Sequence, residues 1–280
     1  DFDVAKNGDF FGAIFQYVGA QGDVVDLTDI ISAVKAKGTQ TIVAADVMSL
    51  VLLKSPGSMG ADVALGNTQR FGVPMGFGGP HAAYFAFKVS AKRSAPGRII
   101  GVSVDAQGKQ ALRMALQTRE QHIRREKANS NICTSQVLLA NLAGMYAVYH
   151  GPEGVKRIAT RIHALASAFA QAIKQAGMSI VHEQFFDTVL VNTQGQTEQI
   201  YQNALNIGYN LRKVDDSHIA IAFNETSDAA DFGVLTQLFT GVAAQLSDDI
   251  SLSLPASLLR TDAILSHPVF NRYHTEHEML

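Results

Sequence analysis

The chain has 280 residues, 47% of them hydrophobic and 17% charged, which is the composition of a folded protein with a substantial core. Its formal net charge of −2 gives no electrostatic reason to expect nucleic acid or an anionic membrane as a partner. The single cysteine, Cys133, excludes an internal disulfide and suits a reducing compartment. We expect no transmembrane helix, because no apolar run reaches about 18 residues, and no signal-peptide pattern is visible.

The first half alternates short apolar runs with helical stretches. Strands are predicted at 10–17, 41–45, 62–65 and 82–87, and helices at 27–37 and 47–54. Gly38 is a candidate C-cap for the first helix. Strands separated by helices of about ten residues are typical of βαβ units, so we predict a mainly parallel sheet.

The second half has a different pattern, typical of an α+β unit. Helices are predicted at 136–149, 152–176, 197–207 and 228–246, and short strands at 179–181, 188–191 and 219–223. Gly151 and Pro152 predict a bend between the first two helices. We therefore predict a large domain over residues 1–150, a small α+β domain over 151–247 entered by a long helix, and a tail over 248–280.

Asp46 stands at the carboxyl end of a predicted strand, where open α/β sheets collect ligands. A carboxylate there can pair with a pyridinium nitrogen and keep it protonated. Its position alone favours the alternative, an N-cap for the following helix.

The loop from Arg70 to His81 contains four glycines, which let a backbone approach a ligand closely. They are Gly72, Gly76, Gly78 and Gly79. The loop matches neither GxxxxGK[ST] nor GxGxxG, so a nucleotide site is disfavoured, and a tight structural turn is the commoner use of such a loop.

The densest polar run, residues 117–135, precedes a predicted helix. Ser130, Asn131 and Thr134 there could cradle an anion at the positive helix N-terminus, with a solvated charged face as the equal alternative. Cys133 in this run is expected to be a buried thiol, not a nucleophile.

His274, His277 and Glu278 near the end of the chain could lie close to one helical face, as the ligands of a metal ion would. A metal site is disfavoured, because the spacing is not HExxH and no further ligand is evident.

Three long runs resemble the N-terminal half of the glycine cleavage system P-protein. They are GADVALGNTQRFGVPMGFGGPHAAYFAFK, PGRIIGVSVDAQGKQALRMALQTREQHIRREKANSNICTSQVLLANLAGMYAVYHGPEGV and LSHPVFNRYHTEHEML. The resemblance implies an α/β fold of the aspartate-aminotransferase class, pyridoxal-phosphate fold type I. It also implies decarboxylation of glycine with pyridoxal phosphate and transfer of the aminomethyl group to lipoylated H-protein. In that family only the C-terminal half carries the Schiff-base lysine.

The resemblance assigns roles to residues of the predicted parallel sheet. Asp46 matches the strand-end aspartate and the stretch from Gly76 to Gly79 matches the glycine-rich segment, but Gln69 and Arg70 stand where the lysine is expected. Neither side chain can form an imine. Lys54 and Lys88 lie at the wrong offsets. We therefore interpret the chain as the half without the lysine, with Asp46, Gln69, Arg70, Gly78 and Gly79 lining a degenerate cofactor pocket and no catalytic residue of its own.

The run from Arg125 to Thr134 resembles a loop that crosses an interface to a neighbour's cofactor phosphate. This implies that Ser130, Asn131 and Thr134 approach that phosphate in the active half, with Arg124 or Arg125 adding charge. The implied partners are the catalytic C-terminal half, lipoylated H-protein and glycine, in a dimer or larger oligomer. The implied location is the cytoplasm in a bacterium or the mitochondrial matrix in a eukaryote.

Two alternatives accompany this interpretation. The chain could be a structural half that supports the active one and shapes the docking surface for H-protein. An independent aminotransferase- or desulfurase-like enzyme using Cys133 is disfavoured by the missing lysine.

The chain starts with Asp1 and ends in a helix-forming run, so we expect part of a longer polypeptide. We also expect upstream strands of the sheet to be missing, leaving an edge and an apolar face for self-association or a partner.

Overall fold

The computed structural model describes residues 2–76, 78–116, 123, 125–128, 136–246 and 253–280. The first sheet is built from the first third of the chain. Its elements are α1 (Phe2–Asn7), β1 (Gly12–Tyr17), α2 (Thr28–Lys35), β2 (Gln40–Ala45), β3 (Val63–Asn67) and β4 (Ala83–Phe87). The strands are hydrogen-bonded in the order β1-β2-β3-β4, with the first three parallel and β4 antiparallel. The prediction of a mainly parallel sheet is confirmed.

The sequence prediction of a helix over 47–54 is wrong. Only one turn of 3-10 helix, Ser49–Val51, forms there. The Asp46 carboxylate accepts the backbone N–H of Ser49 at 3.0 Å and closes a tight turn directly after β2. The chain then becomes extended, because Leu53 pairs with Leu259 of the tail in an antiparallel bridge. Tertiary pairing therefore outweighs the local helical preference of this stretch.

A two-stranded hairpin, β5 (Ile99–Val104) and β6 (Gln110–Ala115), follows β4 and was missed by the sequence analysis. Its turn is held by Asp105, whose carboxylate accepts the backbone N–H groups of Gln107 and Lys109, each at 2.9 Å. Gly108 in this turn has φ +79°, a conformation that favours glycine. The hairpin is a separate sheet, hydrogen-bonded to neither of the two larger ones in the part of the chain that is described.

The long helix α3 (Val137–Gln175) is broken at Gly151, as the sequence predicted. Gly151 has φ +61°, and a Cβ there would lie 2.6 Å from the carbonyl oxygen of Phe270. Pro152 then begins the second segment, which buries Ile162, Phe169 and Ile173 on its inner face. The kink thus redirects one continuous stretch of helix into the core.

The second sheet is antiparallel and follows α3. Its elements are β7 (Ser179–Ile180), β8 (Thr188–Asn192), α4 (Thr197–Asn206), β9 (Arg212–Lys213), β10 (His218–Ala222) and α5 (Ala229–Thr240), with strand order β7-β8-β10-β9. Helix α5 begins at a capping box formed by Asp228 and Asp231 and ends at Gly241, with φ +78°. It is therefore shorter than the predicted 228–246. Strands β7, β8 and β10, the α4 helix and the α+β pattern agree with the sequence analysis, whereas the two-residue strand β9 was not predicted.

The tail consists of short turns and a last helical turn, α6 (Glu276–Met279). Leu254 and Leu258 of the tail are buried in the same hydrophobic core as side chains of the first sheet and α3. The division into residues 1–150, 151–247 and 248–280 stays a prediction.

One face of the first sheet carries apolar side chains that remain accessible. Ile14, Ile42 and Val63 lie in one register row and therefore share a face. Ile14 on β1 is 72% exposed, and Phe85 on β4 is 45% exposed. This is the kind of surface that an α/β fold normally covers with helices. In the described parts of the chain, no helix has the length and apolar character needed to cross a membrane.

Candidate functional site

The centre of the site is an ion-pair network at the carboxyl end of β2. Asp46 follows this strand directly, and Arg70 lies in the loop after β3. One guanidinium nitrogen of Arg70, Nη1, donates to Asp46 Oδ2 at 2.8 Å and to Asp187 Oδ2 at 2.5 Å. Asp187 immediately precedes β8 of the second sheet. A single cation therefore binds carboxylates from both sheets.

Burial controls the electrostatics of this network. The side chains of Asp46, Arg70 and Asp187 are 24%, 23% and 12% exposed. Burial raises the pKa of Asp46, and Asp187 raises it further, although the Arg70 guanidinium acts in the opposite direction. Burial would lower the pKa of Arg70, but the two carboxylates outweigh it and raise that pKa instead. Arg70 is consequently a fixed cation.

Neighbouring groups complete the environment of Arg70. Its guanidinium carbon lies 5.6 Å from the ring centre of Phe186, within cation–π range. The Tyr84 hydroxyl donates to the carbonyl oxygen of Ala45 at 2.8 Å, and burial together with the Asp46 charge raises the pKa of Tyr84 to about 12. Tyr84 thus stays protonated and acts as a neutral donor beside the network.

The glycine-rich loop has the backbone that its sequence requires. Gly72, Gly76, Gly78 and Gly79 all have positive φ, at +85°, +43°, +98° and +32°. A Cβ on Gly79 would lie 2.2 Å from the Met75 carbonyl oxygen and 2.5 Å from the Gln69 amide nitrogen. These glycines are therefore needed for a tight turn that packs onto position 69.

A cavity of about 530 Å³ lies between this loop and the second sheet. Arg70 and Asp187 line it, together with apolar and polar side chains from both sides, namely Met48, Gln69, Gly72, Val73, Pro74, Met75, Ile162, Ala222, Phe223, Asn224, Glu225 and Thr226. The Tyr146 hydroxyl donates to Glu225 at 2.8 Å, and the Tyr146 ring stacks on Phe71 at 5.2 Å.

The lysines nearest in sequence are directed to other partners. Lys54 Nζ donates to the Thr28 hydroxyl at 3.0 Å, and Lys88 Nζ lies 2.7 Å from Asp62 Oδ1. No lysine is among the described residues that line the cavity. An aldehyde cofactor needs an amine to form an imine and a free carboxylate to hold its ring nitrogen. The described residues do not fit that cofactor, because none of those that line the cavity carries an amine and Asp46 is bound by Arg70.

The structure brings some of the predicted residues together and separates others. Asp46 and Arg70 are in contact, and Gln69 packs beside Gly79, whereas a Cβ on Gly78 would meet no atom within 4 Å. Asp187 was missed, and its only sequence signal is an acidic residue between the apolar Phe185–Phe186 pair and a strand.

The predicted phosphate-loop residues Ser130, Asn131 and Thr134, with Cys133 and Arg124, lie outside the described residues. Arg125 is described and is exposed in a short 3-10 turn, Arg125–Lys127.

The polar residues at the end of the tail are used for capping. Glu278 accepts the Thr275 hydroxyl and backbone N–H in a capping box that begins α6. The His274 ring nitrogen Nδ1 lies 2.9 Å from the Tyr149 carbonyl oxygen, near the kink of α3. Glu278 therefore caps the last helical turn, and His274 joins the tail to α3.

Comparison with solved structures defines the class of fold. An inhibitor-bound glycine decarboxylase (P-protein) of the glycine cleavage system superposes with a TM-score of 0.75 at 30% identity, covering 82% of this chain and 54% of that chain. An aspartate aminotransferase from Thermus thermophilus superposes with a TM-score of 0.57 at 14% identity, covering 86% and 66%. The fold is that of the pyridoxal-phosphate enzymes of fold type I, which confirms the expected aminotransferase-like architecture.

Sequence comparison identifies the family. The glycine cleavage system P-protein family matches residues 1–239, and the chain belongs to that family. Glycine dehydrogenase (decarboxylating) of Psychrobacter cryohalolentis is 69% identical over 285 residues, covering 100% of this chain and 30% of that protein. The enzyme of the same name from Chromobacterium violaceum is 66% identical over 279 residues, covering 99% and 29%. The chain thus spans about 30% of the length of these relatives.

Proposed function

We propose that this chain is the part of a glycine decarboxylase that carries the cofactor-type fold without the cofactor lysine. The observation on which this depends is the Arg70 guanidinium, bound to Asp46 at 2.8 Å and to Asp187 at 2.5 Å. A guanidinium is not deprotonated in proteins, so it cannot attack an aldehyde. The same contact engages the carboxylate that would otherwise bind a pyridinium nitrogen.

In the complete protein, pyridoxal phosphate bound to another part of the polypeptide supplies the electron sink for loss of the glycine carboxyl group. The name of the relatives, glycine dehydrogenase (decarboxylating), supports this activity for the whole protein. Lipoylated H-protein is the proposed acceptor of the aminomethyl group, and the catalytic half is the proposed structural partner, in a dimer or larger oligomer. The named relatives are bacterial, which supports a cytoplasmic location.

The role of this chain in that assembly is to support the active half. Arg70 holds the two sheets together around the cavity, and the core is continuous through α3. A structural half that shapes the docking surface for H-protein is therefore the second candidate, and it is compatible with the first.

We also propose that Ser130, Asn131 and Thr134, with Arg125 nearby, reach the cofactor phosphate held by the active half. The support is the resemblance of this run to the interface loop of related enzymes. Alanine substitutions at the three polar positions in the complete protein should weaken pyridoxal-phosphate affinity at least tenfold, measured by titration of the apoenzyme. Unchanged affinity and turnover would remove the loop from the site.

Borohydride trapping tests the central proposal. The complete protein is loaded with pyridoxal phosphate, reduced and mapped by peptide mass spectrometry, with unreduced enzyme as the control. The pyridoxyl group should be found on a lysine outside these 280 residues. A stoichiometric pyridoxyl group on Lys54, Lys88 or any other lysine of this chain would contradict the proposal.

A further inference from the structure

Residues 253–260 of the tail, called the strap below, contact segments on both sides of the Arg70 network. The regular structure of the strap is a single 3-10 turn, Ala256–Leu258. The side chains of Leu254 and Leu258 anchor it in the core. A segment held by a few side chains and hydrogen bonds, outside any helix or multi-residue strand, opens more readily than the sheets around it.

One end of the strap binds the turn that follows Asp46. The backbone N–H of Arg260 donates to the Leu52 carbonyl oxygen at 2.8 Å, and the Arg260 side-chain Nε donates to the Leu50 carbonyl oxygen at 2.6 Å. Leu50 belongs to the 3-10 turn Ser49–Val51, which the Asp46 carboxylate closes. The strap thus fixes the turn on which the position of the Asp46 carboxylate depends.

The other end of the strap reaches Asp187 through His163 of α3. The backbone N–H of Ser253 donates to His163 Nε2 at 3.1 Å. The opposite ring nitrogen, Nδ1, lies 2.6 Å from the carbonyl oxygen of Phe186, the residue before Asp187. Because Nε2 accepts a hydrogen bond, Nδ1 carries the ring proton and donates it to Phe186. His163 is fully buried, so water does not compete for either bond.

The two carboxylates that bind Arg70 are therefore attached to the same short segment. Asp46 is held through the Arg260 end, and Asp187 is held through the His163 end. The two halves of the fold also meet directly at Val24, whose N–H donates to the Gln184 carbonyl oxygen at 3.0 Å. No strap residue takes part in that bond, so it would remain formed if the strap detached.

We propose that the strap is a conformational device that holds the cavity walls at Arg70 together, so that the Asp46 and Asp187 segments loosen together when it detaches. This goes beyond the proposed decarboxylase role and does not depend on it. Two attachments on one short segment support each other, because release of one end lowers the effective concentration of the other end at its site. All the contacts lie within the chain, so the coupling does not depend on what covers its surface.

Hydrogen exchange of the complete protein, followed by peptide mass spectrometry, measures the two ends separately. Peptides covering residues 47–54 follow the Asp46 turn, and peptides covering 186–190 follow the Asp187 segment. A peptide covering 20–27 contains the Val24 amide, which the strap does not hold, and serves as the internal control.

Two variants each break one end of the strap. Arg260→Met removes the bond to the Leu50 carbonyl oxygen, and His163→Phe removes the bonds to Ser253 and Phe186. Each should speed exchange at the end that it does not touch, 186–190 for Arg260→Met and 47–54 for His163→Phe, by roughly fivefold or more.

The control variant, Ser257→Ala, changes an exposed side chain in the middle of the strap and should exchange like the wild type at both ends. The 20–27 peptide should keep its wild-type rate in all three variants. Arg260→Met retains most of the side-chain volume, so it carries the test if the buried substitution at position 163 prevents folding.

A cross-link tests the coupling in the opposite direction. Leu53 and Leu259 form an antiparallel bridge flanked by two backbone hydrogen bonds, from Lys54 N–H to the Leu258 carbonyl oxygen and from Arg260 N–H to the Leu52 carbonyl oxygen. This pattern defines a non-hydrogen-bonded pair, whose Cα atoms lie about 4.5 Å apart and suit a disulfide. In the Leu53→Cys, Leu259→Cys variant, the oxidised form should exchange at 186–190 roughly fivefold more slowly than the reduced form.

Several results would overturn the proposed coupling. They are faster exchange only at the end that each substitution touches, equal exchange at 186–190 in the oxidised and reduced forms, or an effect of Ser257→Ala as large as that of the other two variants. Equal acceleration of the 20–27 peptide would show a general loss of stability in place of a coupled opening, and would overturn it as well.

Discussion

Replacing Arg70 by methionine removes the cation shared by Asp46 and Asp187 while keeping most of the side-chain volume. The two carboxylate oxygens contact the same nitrogen, at 2.8 and 2.5 Å, so they lie within about 5 Å of each other. At an effective dielectric constant of about 20, two unit charges at this separation repel by about 3 kcal/mol. Because both carboxylates keep some exposure, solvent screening reduces this, and we expect the free energy of unfolding at pH 8 to fall by about 2–3 kcal/mol.

The pH dependence follows from the sign of the pKa change. Burial and the Asp187 charge raise the pKa of Asp46, and without Arg70 the opposing effect of the guanidinium is lost, so this pKa rises further above its value in the unfolded chain. A carboxyl group whose pKa is higher in the folded protein than in the unfolded chain does not destabilise the fold at low pH, where it is protonated in both states. The free energy of unfolding then falls as pH rises through the folded-state pKa. The loss caused by Arg70→Met should therefore be about 1 kcal/mol larger at pH 8 than at pH 5.

Urea denaturation of the wild type and the variant at pH 5 and pH 8 measures both quantities. The double variant Arg70→Met, Asp187→Asn removes one of the two opposing charges and should recover about half of the lost stability at pH 8. An equal loss at both pH values, together with no recovery in the double variant, would refute the electrostatic explanation and leave only lost packing.

Three further predictions concern residues elsewhere in the fold. The buried His163 ring lies between a backbone carbonyl oxygen and a backbone N–H, so His163→Phe should lower the unfolding free energy by about 2–3 kcal/mol, measured with urea. Burial lowers the pKa of His163, so wild-type stability should fall with pH below about 6.5, and this pH dependence should be smaller in the variant. Gly79→Ala should cost about 2 kcal/mol through its clash and positive φ, whereas Gly57→Ala, in open space, should leave the melting temperature nearly unchanged. Burial acts to raise the pKa of Asp62, but hydrogen bonds from Lys35 and Lys88 outweigh it and lower that pKa. The ionised Asp62 therefore contributes stability that the wild type loses only as pH falls below about 4. Asp62→Asn should remove this contribution at neutral pH, measured as a lower melting temperature.

The strands of the first sheet could be predicted from the sequence because each is a short apolar run bounded by turn residues. The break in α3 was equally predictable, since a Gly-Pro pair cannot continue a regular helix. The hairpin at 99–115 was missed, although the apolar residues Ile100, Val102 and Val104 stand at every second position, which is the pattern of a β-strand. Its alternation was the available signal.

The site was less predictable than the fold. The sequence places Asp46 at the end of a predicted strand, and it shows directly that neither position 69 nor position 70 is a lysine. The partner Asp187 lies 117 residues beyond Arg70, so only the packing of the second sheet against the first brings them together. The short 3-10 turn at 49–51 depends in the same way on the tail, which pairs with Leu53.

Arginine at position 70 keeps the charge of the cleft constant as pH and ligand change. A lysine at such a place would exchange between ammonium, free amine and imine as pH and ligand change. A guanidinium has one protonation state throughout the physiological range, so the charge of the cation that joins the two sheets does not depend on pH. The contact between the two sheets is thereby anchored by a charge that does not vary with ligand or pH.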